Sequence, residues 1–322
     1  MFTFIARRVL YSIPVLFFST FFSFLFVSYA SNPLATVRQN PRATPHLIHL
    51  LTLQYHLNQP VIVRYFYWVQ DVFTNKLGRS LVTLQPIWPD VQRTMGHTAQ
   101  LCILSESVAI IVGISVGIYS AIKQYSFFDY SFTTVSFLGF AMPVFWLALL
   151  LQIAFTDEYN HWGVRIFYTS GLNSIPGESW FTLDRLQHLA LPALTLFIIS
   201  FALYSRYMRA SMLDVINSDY VRTARAKGVS ERKVIMRHIF RNALIPITTV
   251  AALNIGGLLG GAIVTETVFT LDGFGFYFVQ KLGQGDTYAV MAYLLVTAVI
   301  IIIFNLIADI TYGFLDPRIR YD

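Results

Sequence analysis

The sequence predicts an all-α, polytopic membrane protein with six transmembrane helices, and two observations support this prediction. First, 55% of the 322 residues are hydrophobic and only 12% are charged, whereas a typical soluble domain is about 25% charged. Second, long apolar stretches recur along the chain and are separated by short basic segments, as in polytopic helical membrane proteins. This composition excludes a soluble enzyme of the same length.

Six stretches are long enough to cross a hydrocarbon core, which takes roughly 20 helical residues. The predicted spans are 9–30, 98–122, 132–155, 188–207, 245–269 and 289–314. The first span follows Arg7 and Arg8 and is too long for a signal peptide, and it lacks a small-x-small cleavage site. We therefore predict that it is a retained helix.

The distribution of basic residues predicts the orientation. With the N-terminus inside, the cytoplasmic segments are 1–8, 123–128, 206–241 and 315–322, and they contain most of the 23 Lys and Arg residues although they are short. This asymmetry is the positive-inside pattern, so both termini are predicted to be cytoplasmic. The formal charge of +6 is then explained by loops near anionic lipid, and nucleic-acid binding is not expected.

The sequence offers no catalytic or metal site. Cys102 is the single cysteine, so neither an intrachain disulfide nor a thiolate cluster is possible. The histidines do not have a catalytic-metal spacing such as H-E-x-x-H, and His46 and His49 lack nearby residues that would complete a site. The phosphate-binding motif G-x-x-x-x-G-K-[ST] is also missing from the sequence, so we expect no bound cofactor.

The cytoplasmic segment DYVRTARAKGVSERKVIMRHIFRNALIP, between the fourth and fifth spans, has helical regularity. Asp219 is predicted to cap a helix that runs to Lys227, and Gly228 provides a C-terminal stop. Ser230 is predicted to cap a second helix, with Glu231 in its first turn. The pattern therefore predicts two short helices joined by a glycine.

The two faces of these helices differ in polarity. The residues predicted to face the bundle are Val221, Ala224, Val229, Val234, Ile235 and Ile239. The residues predicted to face water or a partner are Arg222, Arg225, Lys227, Arg232, Lys233 and Arg237. From charge alone, anchoring to anionic lipid and docking to a protein partner are both open.

The helix, glycine, helix arrangement followed by Asn-Ala-Leu-Ile-Pro at 242–246 resembles the cytoplasmic loop of ABC importer permeases. ARAKG followed by RNALIP is similar to the peptide and nickel branch of that family. Residues 222–224 are Arg-Thr-Ala, where the broader family has Glu-Ala-Ala. Further similarity lies in FIARRVLYSIPVLF, GRSL, GFAMPVFWLALLL, TETVF and LDPRIR, which look like a B-type oligopeptide permease subunit.

The resemblance implies the type I permease fold of ABC importers in a bacterial cytoplasmic membrane. It divides the chain into an N-terminal helix with an extracytoplasmic segment (1–97), a core of five helices (98–314) with a coupling loop (209–245), and a cytoplasmic tail (315–322). It implies import of oligopeptides; dipeptide, nickel or antimicrobial-peptide transport are alternatives within the family. The implied partners are a second, homologous permease subunit, two cytoplasmic ATPase subunits that carry ATP and Mg, an extracytoplasmic peptide-binding protein and membrane lipid.

The resemblance also identifies the segment that would contact an ATPase subunit. The candidate coupling residues are Asp219, Tyr220, Arg222, Thr223, Ala224, Arg225, Ala226, Lys227, Gly228, Val229 and Arg232. The chain itself would not be an enzyme, although the assembled complex would hydrolyse ATP.

Polar residues inside spans are costly and often line a pathway. The candidates are Glu106, Asn254, Glu266, Asn305 and Asp309. For each of them, a structural hydrogen bond between helices or a position near the membrane interface is the alternative, and Glu266 is also placed to belong to an external gate. Pro143 is predicted to kink the third span. The small residues Gly256, Gly257, Gly260 and Gly261 favour close helix packing, with pore lining as the alternative.

Two other functional classes remain as hypotheses. A stand-alone secondary transporter or channel would account for six spans and buried acids, but not for a cytoplasmic docking motif. A membrane-embedded enzyme such as an intramembrane protease requires a catalytic pair on adjoining helices, and the sequence suggests no such pair. Dependence on an ATPase partner separates the first of these from an importer permease.

Overall fold

The computed structural model describes residues 2–30, 34–39, 43–74, 77–163, 165–174 and 182–315. The helices are α1 (Phe2–Ala30), α2 (Ala35–Gln39), α3 (Pro45–Gln54), α4 (Val61–Thr74), α5 (Ile87–Ile122), α6 (Phe127–Ala141), α7 (Val144–Trp162), α8 (Leu183–Ile216), α9 (Asp219–Ala226), α10 (Glu231–Lys233), α11 (Arg241–Leu259), α12 (Ile263–Val268), α13 (Phe274–Gly283) and α14 (Thr287–Leu315). Over these residues the only β pairing is an isolated bridge between Arg79 and Pro86. The predicted all-α class is confirmed, and the predicted tail beyond Leu315 lies outside the described residues.

The described helices include five stretches long and apolar enough to cross a membrane, and α6 with α7 makes a sixth. This agrees with the predicted number of spans, although several boundaries were wrong. The second span starts at Ile87, not at residue 98. Its first turns contain the charged residues Asp90 and Arg93, which lower the local hydropathy, so hydropathy alone does not detect this part of the helix. They remain helical because Ile87 and Val91 are buried against the chain between α1 and α5, which we call the outer segment.

The third span, predicted over 132–155 with a kink at Pro143, consists of two helices, α6 and α7. The chain bends by 102° between α6 and α7. Met142 is extended (φ −73°, ψ 127°), as is usual for a residue before proline, and Pro143 precedes α7. The predicted kink at Pro143 is confirmed, and it is a full break between two helices.

Glycines bring α5 and α8 close together. A Cβ on Gly113 would lie 2.9 Å from the Cβ of Tyr204, and one on Gly117 would lie 2.6 Å from the Cβ of Met208. Real Cβ atoms do not approach this closely, so the two backbones pack at a distance that only glycine permits. This contact forms the centre of the transmembrane bundle.

The predicted glycine stripe on the fifth span packs α11 against α14. A Cβ on Gly256 would collide with Phe304, and one on Gly260 would collide with Thr297, whereas Gly257 faces open space. Gly261 has φ +126° and interrupts the helix before α12. The predicted span 245–269 lies within one apolar stretch, Glu231–Val268, that is long enough to cross a membrane, and Gly261 divides its helix near the end because the backbone there adopts a conformation that disfavours other residues.

The segment between α1 and α5 forms short helices that pack against the bundle. Tyr65 and Trp68 of α4 are buried against Phe24 of α1. The loop before α5 is fastened to the start of α14, since the side chain of Ser80 and the backbone N–H of Leu81 both donate to the buried carboxylate of Asp286. The N-terminal helix, the outer segment and α14 consequently share one hydrophobic core.

Candidate functional site

The candidate coupling loop begins where α8 ends. The N-cap of α9 is Ser218, one residue earlier than predicted, and Asp219 lies in the first turn, where its charge favours the helix dipole. Lys227 is the C-cap, as predicted for the end of the helix. Gly228 follows with φ +77°, the left-handed conformation that terminates many helices.

The helix after the glycine is longer than predicted. It starts at Glu231 after the predicted cap Ser230, passes through a π-helical stretch (Val234–Phe240) and continues directly into α11. The expectation of a second short helix was wrong because residues 231–245 contain neither proline nor glycine to stop it. This part of the candidate coupling loop is thus continuous with the helix of the fifth span, so a displacement of one is transmitted to the other.

One face of the coupling loop is anchored in an apolar cluster, as predicted. Val221 and Ala224 of α9 are buried together with Val234 and Ile239 of the following helix. They pack against Met208 and other residues at the inner ends of α5 and α8. Val229 and Ile235 are partly buried against the same cluster. The loop is therefore held rigidly on the bundle.

The opposite face is basic and exposed, also as predicted. Its side chains are Arg222, Arg225, Lys227, Arg232, Lys233 and Arg237. Tyr220 lies among them and is 44% exposed. The surface combines cationic groups with an aromatic ring on a fixed helix, an arrangement suited to recognition of an acidic protein surface.

Arg225 and Glu231 form an ion pair across the glycine turn. The guanidinium donates to the two carboxylate oxygens at 2.7 and 3.1 Å. The hydrogen bonds that Arg225 donates to the Glu231 carboxylate raise the pKa of Arg225, so the arginine stays charged. The pair joins α9 to α10 and limits the angle between them. Sequence analysis missed this link, although a spacing of six residues across a glycine turn was a possible signal.

Two predicted pathway residues, Glu106 and Asn254, belong to one buried polar cluster. Ser200 and Tyr204 donate to the two carboxylate oxygens of Glu106 at 2.5 Å each. The Asn254 side-chain amide lies 3.1 Å from both hydroxyl oxygens and 3.3 Å from Glu106. The cluster joins α5, α8 and α11 at mid-bundle. Ser200 and Tyr204 were missed by sequence analysis, and their i, i+4 spacing on the fourth span was the available signal.

Glu266 lies near the outer end of the bundle and is fully buried. Thr98 donates to one carboxylate oxygen at 2.6 Å, and the backbone N–H of Phe276 donates to the other at 3.0 Å. A side chain at Gly273 would collide with the carboxylate. Glu266 thus holds the start of α13 against α5 and α12, and Thr98 and Phe276 are contacts that sequence analysis did not find.

The remaining two candidates lie on α14 and contact neither cluster. Asp309 pairs with Arg8 of α1 at 3.1 Å, near the inner ends of both helices. Asn305 is exposed. The five predicted pathway residues therefore fall at four separate places. In the part of the chain that the structure describes, no three His, Cys, Asp or Glu residues are grouped closely enough to hold a metal ion.

Two models of one family of transport proteins together match nearly the whole chain. Residues 113–321 match the family model "Binding-protein-dependent transport system inner membrane component", and residues 1–102 match the model of the corresponding N-terminal region. The chain is 38% identical to the dipeptide transport system permease protein DppB of Alkalihalophilus pseudofirmus, over 98% of both chains. It is 37% identical to the oligopeptide transport system permease protein AppB of Bacillus subtilis, over 99% of both.

A solved structure with a similar fold is a crystal structure of an amino acid ABC transporter with histidines. The TM-score is 0.50 at 14% sequence identity, and the match covers 72% of this chain and 94% of the other. At this identity the likeness concerns the fold alone. It supports the arrangement of the transmembrane helices.

Proposed function

This chain belongs to the family of binding-protein-dependent transport system inner membrane components, and we propose from that membership that it is the permease subunit of an ABC importer for peptides. It is a multi-pass membrane protein. The observation that carries the proposal is similarity along nearly the whole chain to permeases named for dipeptide and oligopeptide transport. We propose oligopeptides as the substrate, with dipeptides as the second candidate.

The proposed complex has further subunits. A second, homologous permease subunit completes the translocation pathway, an extracytoplasmic binding protein delivers the peptide, and two cytoplasmic ATPase subunits bind ATP and Mg and hydrolyse the nucleotide. This chain has no phosphate-loop motif of its own. We place it in the bacterial cytoplasmic membrane with both termini inside, because basic residues concentrate in the segments 1–8, 123–128, 206–241 and 315–322.

The basic surface of the coupling loop, within 209–245 of the proposed core domain 98–314, is the proposed contact with an ATPase subunit. Two features support this role. The cationic side chains are exposed while the opposite face is buried in the bundle, and the loop continues into α11 without a break. A partner that binds one position of the loop better than another would therefore shift the transmembrane helices between conformations.

The polar residues of the spans have two proposed roles. We propose that Asn305, which is exposed on α14, faces the pathway or the second permease subunit. The polar groups of Glu106, Asn254, Glu266 and Asp309 are engaged within this chain. Their proposed role is to hold helix positions around the pathway.

A matched pair of glycine variants tests the coupling proposal. Gly228 and Gly283 both have open space where a Cβ would go, but only Gly228 has a positive φ. Gly228→Ala is expected to strain the turn between α9 and α10, and Gly283→Ala is expected to be silent. The measurement is ATP hydrolysis by the complete complex in proteoliposomes, with and without peptide-loaded binding protein.

We expect peptide to stimulate hydrolysis in the unsubstituted complex and in Gly283→Ala, and to stimulate it several-fold less in Gly228→Ala. Equal stimulation in both variants would remove the turn from the coupling mechanism. Solute movement by this chain without any ATPase subunit would instead support the stand-alone transporter.

A further inference from the structure

A cavity of about 170 Å³ lies between α1, α4 and α14. It is lined by Ile13, Leu16, Phe17, Thr20, Tyr65, Trp68, Val69, Val72, Phe73 and Leu295. The α1 residues have i, i+3, i+4, i+7 spacing, and the α4 residues have i, i+3, i+4, i+7, i+8 spacing. One face of each helix therefore lines the cavity. Neither the coupling loop nor the polar clusters of the spans contribute to this cavity.

The cavity lies at the depth of the hydrocarbon core. The ion pair between Arg8 and Asp309 marks the inner ends of α1 and α14. At a rise of 1.5 Å per residue, Ile13 is ~8 Å and Thr20 is ~18 Å along α1 from Arg8, within a hydrocarbon core ~30 Å thick. The cavity is therefore open to the membrane interior and lies away from the aqueous surfaces.

The outer face of α4 supports this depth. Ile62 and Phe66 are 55% and 56% exposed on a helix that packs along the middle of α1. An apolar surface of this kind, facing water, would be an aggregation site, and it is stable only against a partner or a membrane. Its place alongside a transmembrane helix favours lipid. Helix α4 thus belongs to the bilayer and not to a water-exposed cap.

The chemistry of the lining selects the occupant. Eight of the ten lining residues are aliphatic or are the aromatic residues Phe and Trp. The other two, Thr20 and Tyr65, have hydroxyl groups that lie 3.0 Å apart and hydrogen-bond to each other. Thr20 also donates to the carbonyl of Leu16. A protein cavity of about 150 Å³ with an apolar lining stays free of water and takes up hydrocarbon ligands. In a bilayer the available hydrocarbon is a lipid tail.

We propose that this cavity is a specific binding site for an acyl chain of a membrane phospholipid, which fills the space between α1, α4 and α14. The bound chain replaces the packing contacts that the three helices do not make with one another. It thereby joins the N-terminal helix and the outer segment to the core helices. The site does not depend on the identity of the transported substrate.

Photo-cross-linking tests this site in the complete complex. The complex is reconstituted in bilayers of phosphatidylethanolamine and phosphatidylglycerol that contain a phospholipid with a diazirine halfway along one acyl chain. Peptides that carry adducts are mapped by mass spectrometry. We expect adducts on 13–20 and 69–73 to exceed those on the exposed apolar stretch 145–153 of α7, which lies outside the cavity, by at least threefold.

Two pairs of variants separate filling of the cavity from general disturbance. Val72→Phe and Leu16→Trp add bulk to the lining, whereas Val63→Phe and Leu10→Trp make the same changes at exposed positions outside the cavity. The first two are expected to reduce the cavity adducts at least threefold, and the other two to leave them unchanged.

Even labelling of 13–20, 69–73 and 145–153 in the unsubstituted complex would overturn the proposal, whatever the variants do. Cross-links from the cavity residues to the second permease subunit would overturn it as well, since a protein helix would then occupy the space. If one filling variant fails to assemble, the other and the adduct map of the unsubstituted complex decide the question.

Discussion

Arg225 and Glu231 face each other across Gly228, with two hydrogen bonds of 2.7 and 3.1 Å joining the guanidinium to the carboxylate. Both side chains are substantially exposed, so the pair contributes only about 0–1 kcal/mol to stability. Its effect is geometric, because it links the helix that bears the basic surface to the base of the fifth span. Arg225, a candidate contact to a partner protein, is therefore also a candidate for fixing the angle between α9 and α10.

We expect Arg225→Gln and Glu231→Gln each to lower peptide-stimulated ATP hydrolysis several-fold and to leave the thermal midpoint of the complex nearly unchanged. The reversed pair, Arg225→Glu with Glu231→Arg, restores the stimulation if the ion pair acts within this chain. If the reversed pair remains inactive while the fold is intact, Arg225 acts instead through direct contact with an ATPase subunit.

Replacement of Glu106 is expected to destabilise the bundle. Glu106→Leu removes the acceptor for Ser200 and Tyr204, and each interhelical hydrogen bond in a membrane is worth roughly 0.6–2 kcal/mol. Glu106→Gln retains one acceptor oxygen and is expected to lose less. The thermal midpoint of the assembled complex measures the difference. A Leu variant as stable as the Gln variant would mean that the cluster has no role in holding α5, α8 and α11 together.

The contact between α5 and α8 is expected to reject even a methyl group. Gly117→Ala places a Cβ against Met208 and the carbonyl of Ser205, and such overpacking costs about 1–3 kcal/mol. Gly257→Ala, where a Cβ meets open space, is the matched control and is expected to fold normally. Yield of monodisperse protein and thermal unfolding both report the effect. Equal behaviour of the two variants would show that the helices can separate at little cost.

Asp286 is expected to fasten the outer segment. Asp286→Ala leaves the hydroxyl of Ser80 and the backbone N–H of Leu81 without their acceptor, and an unsatisfied buried group costs about 1–3 kcal/mol. The segment 77–86 then becomes sensitive to protease added from outside intact proteoliposomes. Asp157→Ala, at a well-exposed position, is the control and is expected to remain resistant. Equal resistance of both variants contradicts the anchoring role.

Local patterns in the sequence were sufficient for α9, for the glycine turn after it and for the number of spans. The two-sided polarity of α9, the stop at Gly228 and the break at Pro143 follow from helix periodicity and from backbone restrictions at glycine and proline. Helix boundaries were predicted wrongly where a helix continues through polar residues, as at the start of α5. Hydropathy reports how well a segment dissolves in the membrane, whereas the length of a helix also depends on packing and hydrogen bonding.

By itself, then, the sequence determined the all-α membrane class, the basic surface of α9 and the resemblance to a permease family, since these depend on neighbouring residues and on composition. Only the tertiary structure decided which polar groups meet. Glu106 and Asn254 are 148 residues apart and share one cluster, whereas Asn305 and Asp309 stand apart from it. It also placed α4 alongside α1 and created the apolar cavity between them. Such contacts depend on how distant helices pack, and helical periodicity carries no information about that partner choice.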